Sequence, residues 1–145
     1  MPRPHLVYLA GPIDAVSRDE ASTWREKASE CLANFQWATY SPVGAFSVPV
    51  KARRLPALAT SIIEVNYRAL AVSDCVLVNL ASPSFGTPIE VVKTNRRKYG
   101  FGSEAEIARM QDSLYGHHFQ AFNSDLTRLI CEMVEYENGA SARRD

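Results

Sequence analysis

A three-layer α/β/α sandwich, built around a mostly parallel sheet of four to five strands, is the fold class that this sequence predicts. Short apolar runs at Leu6–Ala10 and Cys75–Leu80 read as buried strands. Stretches of helical periodicity alternate with them, and such alternation implies parallel pairing through right-handed crossovers. Each apolar run ends in a loop rich in Gly, Pro or Ser, where a sheet of this kind binds ligands.

Taken in order, Leu6-Val7-Tyr8-Leu9-Ala10 is stopped by Gly11-Pro12. Ser17 and Glu20 have capping-box spacing, and Ala21, Trp24, Ala28, Cys31, Leu32 and Phe35 follow at helical intervals, with Trp24 and Phe35 assigned to the core. Trp37–Tyr40 is a second strand, stopped by Ser41-Pro42. Residues 44–57 have no periodic pattern and contain Pro49, Pro56, Lys51, Arg53 and Arg54, which reads as a long surface loop. Ser61 and Glu64 form a second capping box before the stripe Ile62, Val65, Ala69 and Val72. Asp74 turns the chain into Cys75–Leu80, and a Ser/Pro/Gly-rich loop, 81–86, leads to a helix opened by Thr87-Pro88. The stretch from Lys93 to Gln111 is basic first, then has Gly100 and Gly102, and becomes weakly helical over 104–110. His118–Phe122 reads as a strand, and Ser124 caps a last helix carrying Leu126, Leu129, Ile130, Met133 and Val134. Asn138-Gly139 ends that helix and leaves 139–145 as a frayed tail of a single domain, 1–145.

Sixteen Lys+Arg balance sixteen Asp+Glu across 145 residues, a formal net charge of zero. Nucleic-acid polymers and anionic membranes both call for a basic surplus, so the expected partner is a small molecule. Cys31, Cys75 and Cys131 are odd in number, lie in apolar contexts and lack metal-ligand spacing, which reads as three buried inert thiols in a reducing cytoplasm. There is no secretory leader pattern and no apolar run approaching the ~20 residues needed to span a bilayer.

The chemistry is expected in the loops after the two apolar runs. Gly11-Pro12-Ile13-Asp14 brings backbone close to a ligand and sets Asp14 at the mouth of the crevice. Ser82, Ser84, Gly86 and Thr87 precede a helix N-terminus, where free N–H groups and hydroxyls suit a phosphate, although such serines also serve plain turns. GxxxxGK[ST] is absent. Glu90 fits the third helical position of a Thr-Pro-Ile-Glu capping box, and its place at the crevice equally suits a nucleophile or base. His117-His118 reads as surface structure, and Arg53-Arg54 as a solvated charge run that could also close over a phosphate. Trp37 and Tyr40 are placed near the cleft, and Phe46 is a candidate for stacking on a base.

Three blocks, Tyr8-Leu9-Ala10-Gly11-Pro12-Ile13, Asn66 to Asp74, and Ser84-Phe85-Gly86-Thr87-Pro88-Ile89-Glu90, resemble the nucleoside 2-deoxyribosyltransferase superfamily. The resemblance spans roughly residues 6–92 and is strongest toward the branch of 2'-deoxynucleoside 5'-phosphate N-hydrolases and CMP or hydroxymethyl-CMP hydrolases. It implies a Rossmann/flavodoxin-like sheet and hydrolysis of the N-glycosidic bond of a nucleoside 5'-monophosphate, with no metal or organic cofactor. Glu90 would be the nucleophile that forms a glycosyl-enzyme, and Tyr8 would help to orient it. Ser84 would contact the phosphate with Gly86 and Thr87, and Gly11, Ile13 and Asp14 would line the base and sugar pocket. A homodimer or higher homo-oligomer is also implied.

The chain departs from the family twice. The family carries an Asp eight residues before the one that closes its second helix, and here that position is Asn66. An amide can hydrogen-bond a base but does not donate a proton as a carboxylic acid does. Asp14 or a water would then supply the proton, or the enzyme would be slow, or the domain would bind nucleotide without cleaving it. Lys93–Gln111 lacks the family's usual Gly-Lys-Pro strand, which puts the fourth strand in doubt. Base exchange by a 2-deoxyribosyltransferase is the other enzymatic alternative.

Overall fold

Leu6–Ala10 does form a strand, with Val7, Tyr8, Leu9 and Ala10 fully buried. The computed structural model of the protein describes residues 5–11, 18–42, 56–80 and 95–144. In chain order these are β1 (Leu6–Ala10), α1 (Arg18–Ala33), β2 (Ala38–Tyr40), α2 (Pro56–Val72), β3 (Cys75–Asn79), β4 (Arg97–Phe101), α3 (Glu104–Asp112), a 3₁₀ turn at Gly116–His118, β5 (Phe119–Asn123) and α4 (Leu126–Arg144). The five strands are parallel, in the order β2-β1-β3-β4-β5. This is a three-layer α/β/α fold.

The pleat sorts the core onto two faces. Val7, Leu9, Cys75, Leu77 and Tyr99 point to one face and pack with Trp24, Ala28 and Leu32 of α1 and with Leu129, Ile130 and Met133 of α4. Tyr8, Ala10, Val76 and Val78 point to the other and meet Leu70 and Ala69 of α2, with Tyr115 and Phe119 beside them. β1 and β3 are covered on both sides, which is why their sequences are continuous apolar runs rather than alternating ones. Asp74 fixes their mutual register at the amino edge, where its Oδ2 accepts the Leu6 N–H (2.7 Å) and its own N–H donates to the Leu6 carbonyl (2.8 Å).

Several elements differ from the sequence reading, each for a physical reason. Phe35 is 41% exposed, not core. The last turn of α1 closes as a Schellman motif, with Trp37 N–H donating to the Leu32 carbonyl (3.1 Å) and Gln36 N–H to the Ala33 carbonyl (2.9 Å), so Phe35 faces outward while Leu32 and Trp37 carry the apolar contact. Gln36 holds the left-handed conformation (φ 62°) that glycine usually supplies here. α2 begins at Pro56, inside the expected loop, so Ser61 is a helix-interior residue rather than a cap. Its sheet-facing side runs through Asn66, Ala69, Leu70 and Ser73, leaving Val65 and Val72 54% and 58% exposed.

The basic stretch contains a strand, β4, so the doubtful fourth strand exists. Lys98 is buried and Arg97 half-buried, and each charge finds a partner. Lys98 is 2% exposed and donates from Nζ to the Arg96 carbonyl (3.0 Å), while burial lowers its pKa. Arg97 is held in a bidentate pair by Glu137 of α4, at 2.8 Å from Nε and 2.5 Å from a terminal nitrogen. Tyr99 Oη donates to the same carboxylate at 3.1 Å. Glu137 is 1% exposed, and Ala140, at 7%, shows that α4 stays packed beyond Asn138-Gly139; the helix itself runs to Arg144. The cap of α4 is Asp125, whose Oδ1 accepts the Arg128 N–H (3.2 Å), and not Ser124. Of the thiols only Cys75 is buried; Cys31 is half-buried and Cys131 exposed. His117 and His118 are exposed in the 3₁₀ turn, as a surface reading requires.

Three outcomes follow from these features. Glu137→Ala leaves the Arg97 guanidinium and the Tyr99 hydroxyl without their acceptor, and should cost roughly 3 kcal/mol in urea unfolding. Burial and the Glu137 charge push the Tyr99 phenol well above its ordinary value. The unfolded chain therefore ionises first, and stability present below about pH 10 is lost as pH rises further. Tyr99→Phe should flatten that part of the pH–stability curve. Gln36→Gly should raise stability by roughly 0.5–1 kcal/mol, since glycine holds the left-handed position without strain.

Candidate active site

In this strand order the chain moves from β1 to β2 on one side and returns to β3 on the other. The order reverses between β1 and β3, and an open parallel sheet leaves a ligand crevice at the carboxyl ends of such a pair. Gly11 follows β1 there, and Asn79 and Leu80 stand at the end of β3. Of the expected site residues, Tyr8, Gly11 and Asn66 are described. Ile13, Asp14, Phe46, Ser84, Gly86, Thr87 and Glu90 lie outside the described residues, as do Arg53 and Arg54.

Gly11 is glycine for a steric reason. A Cβ at this position would meet a ring carbon of Trp24 at 2.9 Å and Cβ of Asn79 at 3.0 Å. Trp24 lies on α1, 8% exposed, with its ring centroid 5.2 Å from that of Phe101. Its indole N–H is buried without an acceptor among the described residues, a cost offset by the ring's packing. The neighbouring Arg25 is 2% exposed, stands 4.7 Å from the Trp24 ring centroid, and donates to the Gly11 carbonyl at 3.1 Å. The exit of β1 is thus tied to α1 through both its Cα and its carbonyl. Outside Arg25, a groove of about 310 Å³ runs between α1 and Ser41, lined also by Ser22, Glu26, Ser29 and Glu30.

The opposite face of the sheet joins the other two residues. Tyr8 and Tyr40 are register partners on β1 and β2. Their side chains therefore leave the sheet on the same side, and the rings stack at 5.5 Å with 26° between planes. Tyr40 Oη then donates to Asn66 Oδ1 at 3.0 Å, so Tyr8 and Asn66, 58 positions apart in the sequence, belong to one cluster through Tyr40. Tyr8 is fully buried and Asn66 half-buried.

Sequence reasoning placed Tyr40 near the cleft but gave it no partner, and it missed Arg25 altogether. A signal for Arg25 existed, because it stands three before Ala28 and seven before Leu32, on the buried stripe of α1. Tyr40 carried a weaker one, as the last strand residue before Ser41-Pro42. Trp37 is 7% exposed and stacks on His5 (4.2 Å, 12°) at the amino end of the sheet, away from the crevice. Among the described residues, no group of three or more His, Cys, Asp or Glu could hold a metal ion, and no helix is long and apolar enough to cross a membrane.

Gly11→Ala should push Trp24 or the strand end out of place, lowering stability by roughly 1–3 kcal/mol and shifting the tryptophan emission.

Neither a family model nor a curated protein sequence matches the chain. Solved structures do. A 2-deoxyribosyltransferase from Bacillus psychrosaccharolyticus, described as a biocatalyst for nucleoside synthesis, superposes with a TM-score of 0.64 at 15% identity, covering 86% of this chain and 90% of its own. A conserved protein from Enterococcus faecalis V583 superposes with a TM-score of 0.53 at 14% identity, covering 90% of this chain and 88% of its own. The chain has the fold of a 2-deoxyribosyltransferase.

Proposed function

We propose that this chain is an N-glycosidase of the nucleoside 2-deoxyribosyltransferase superfamily that cleaves nucleoside 5'-monophosphates to free base and (deoxy)ribose 5-phosphate. One conjunction carries the reading. A sheet with the fold of a deoxyribosyltransferase reverses its strand order between β1 and β3, and the two sequence segments with site chemistry, 11–14 and 84–90, follow those same two strands in the chain.

Glu90 attacks the anomeric carbon, and the bond from that carbon to the base nitrogen breaks with its electron pair leaving on the base. Water then opens the resulting glycosyl ester, frees the Glu90 carboxylate and gives the sugar phosphate, with retention at the anomeric carbon in the intermediate's logic. Overall one water is consumed, and one of its protons ends on the base. Ser84, Gly86 and Thr87 hold the phosphate through hydroxyls and backbone N–H groups, which lets an electrically neutral chain take an anionic substrate. Gly11, Ile13 and Asp14 border the sugar and base, Phe46 stacks on the base, and Tyr8 orients Glu90. The chemistry needs no metal or organic cofactor.

The reading is tested by incubating the purified protein with a panel of ribo- and deoxynucleoside monophosphates and following free base by chromatography. Release from at least one is expected, undiminished by a metal chelator and lowered at least about a thousandfold by Glu90→Gln. No release, or release insensitive to Glu90→Gln, would overturn it. Incorporation of an added free base from unphosphorylated nucleosides would identify base exchange instead. A nucleotide bound and recovered intact would identify a binding domain.

A further inference from the structure

We infer that Cys31 on α1 and Cys131 on α4 form a modification site, a thiol pair that a small disulfide oxidant closes into a covalent bond between the two helices. The inference stands apart from the N-glycosidase reading, and neither depends on the other.

The helix faces bring the two thiols to one seam. α1 and α4 lie side by side on the same face of the sheet, and their Cα atoms come within 8 Å of one another. On α1, Ser29 Oγ is 2.8 Å from Thr39 Oγ1 of β2, so that flank faces the β2 edge. Cys31 is two positions on, turned about 200° around the helix axis. It shares the other flank with Trp24, whose ring packs on Phe101 of β4. On α4, Asn123 Nδ2 at the end of β5 donates to Glu132 Oε1 at 3.3 Å, so that flank faces the β5 edge. Cys131 lies across the buried stripe of Ile130, Met133 and Glu137 from Glu132, on the side of Val134, which is buried in the core that α4 shares with α1. The flank of α1 that turns from β2 therefore meets the flank of α4 that turns from β5. Electrostatics agrees with this placement. Burial raises the Cys31 pKa, and the Cys131 sulfur raises it further, against Lys27 one turn before. At a partly solvated site a charge is felt only within about 8–10 Å. A disulfide spans Cα atoms up to about 7 Å apart, a reach that helices packed in contact provide.

Accessibility sets the order of events. Cys131 is exposed and meets a reagent first, Cys31 is half-buried, and Cys75 is fully buried. The three cysteines thus divide into a reactive pair and one inert core thiol. With glutathione disulfide as the oxidant, the Cys131 thiolate attacks one of its sulfurs, the S–S bond breaks, and one glutathione thiolate leaves. The Cys31 thiolate then attacks the Cys131 sulfur of the mixed disulfide, and the second glutathione thiolate leaves. Two protein thiols are oxidised to one disulfide, one glutathione disulfide is reduced to two thiols, and the protons given up by the cysteines end on the glutathione. The bond ties α1 to α4. Its ends are 100 positions apart in the sequence, so it withdraws much of the freedom of the unfolded chain and stabilises the fold. A thiol reductant reverses it.

The experiment incubates the purified, reduced chain with glutathione disulfide and reads intact mass, free thiols after unfolding, and melting temperature. The wild type should lose the mass of two hydrogens, keep no glutathione, and fall from three free thiols to one, mapped to Cys75. Its melting temperature should rise by roughly 5–10 °C and return on reduction. Cys31→Ser should stop at a stable glutathione adduct on Cys131, with no such rise, and Cys131→Ser should form no internal bond either. Glutathione retained on the wild-type chain, three thiols left free, a bond that joins two copies on a non-reducing gel, or a bond that involves Cys75 would each overturn the inference.

Discussion

The parallel pairing of β1 with β3 is the constraint on which the rest of this molecule depends. Both strands are buried on both faces, so their backbone N–H and carbonyl groups have no water to turn to and must satisfy one another. Asp74 starts that ladder from the amino edge through two bonds to Leu6. Everything at the opposite edge inherits the register. Gly11 reaches the packing between Trp24 and Asn79 only because Val7 pairs with Cys75, and Ala10 with Val78. A slip of one residue would send Tyr8 to the α1 face and dissolve its stack with Tyr40.

The sheet also separates two kinds of polar cluster. The carboxylate of Glu137, with Arg97 and Tyr99, lies under the last turns of α4, at the amino ends of β3 and β4. It holds a helix in place and lets a strand with two adjacent basic residues run through the interior. Gly11, Arg25, Tyr40 and Asn66 lie toward the carboxyl ends instead, where substrate chemistry is expected. The charged network that anchors α4 thus sits at one edge, and the polar groups at the other are not part of it.

How far the sequence could be read follows from the same physics. β1 and β3 were legible almost to the residue, because a strand buried on both faces must be apolar at every position. β4 was not, since Arg97 and Lys98 look solvated until a carboxylate 40 positions away and a neighbouring carbonyl are brought to them. The start of α2 and the end of α4 were misplaced for a related reason. Local capping signals at Ser61 and Gly139 were overridden by packing that continues beyond them. Of the candidate site residues, Tyr8, Gly11 and Asn66 were singled out from contiguous motifs, and the fold shows what each of them packs against. Tyr40 and Arg25 act through partners that only the fold supplies.

The two outermost strands bear on how copies of this chain meet. A sheet edge offers unpaired backbone groups to any passing strand, and natural proteins blunt that template. At one edge β2 is only three residues long and is followed within two positions by Pro42. At the other, the pairing of β5 with β4 skips Gln120 between Lys98 and Tyr99, a bulge that twists the edge away from a flat template. Neither border of the described sheet is long and regular enough to accept another strand. Strand addition, and the aggregation that it seeds, is thus disfavoured by the fold itself, and helical surfaces are left as the ground on which one copy could recognise another.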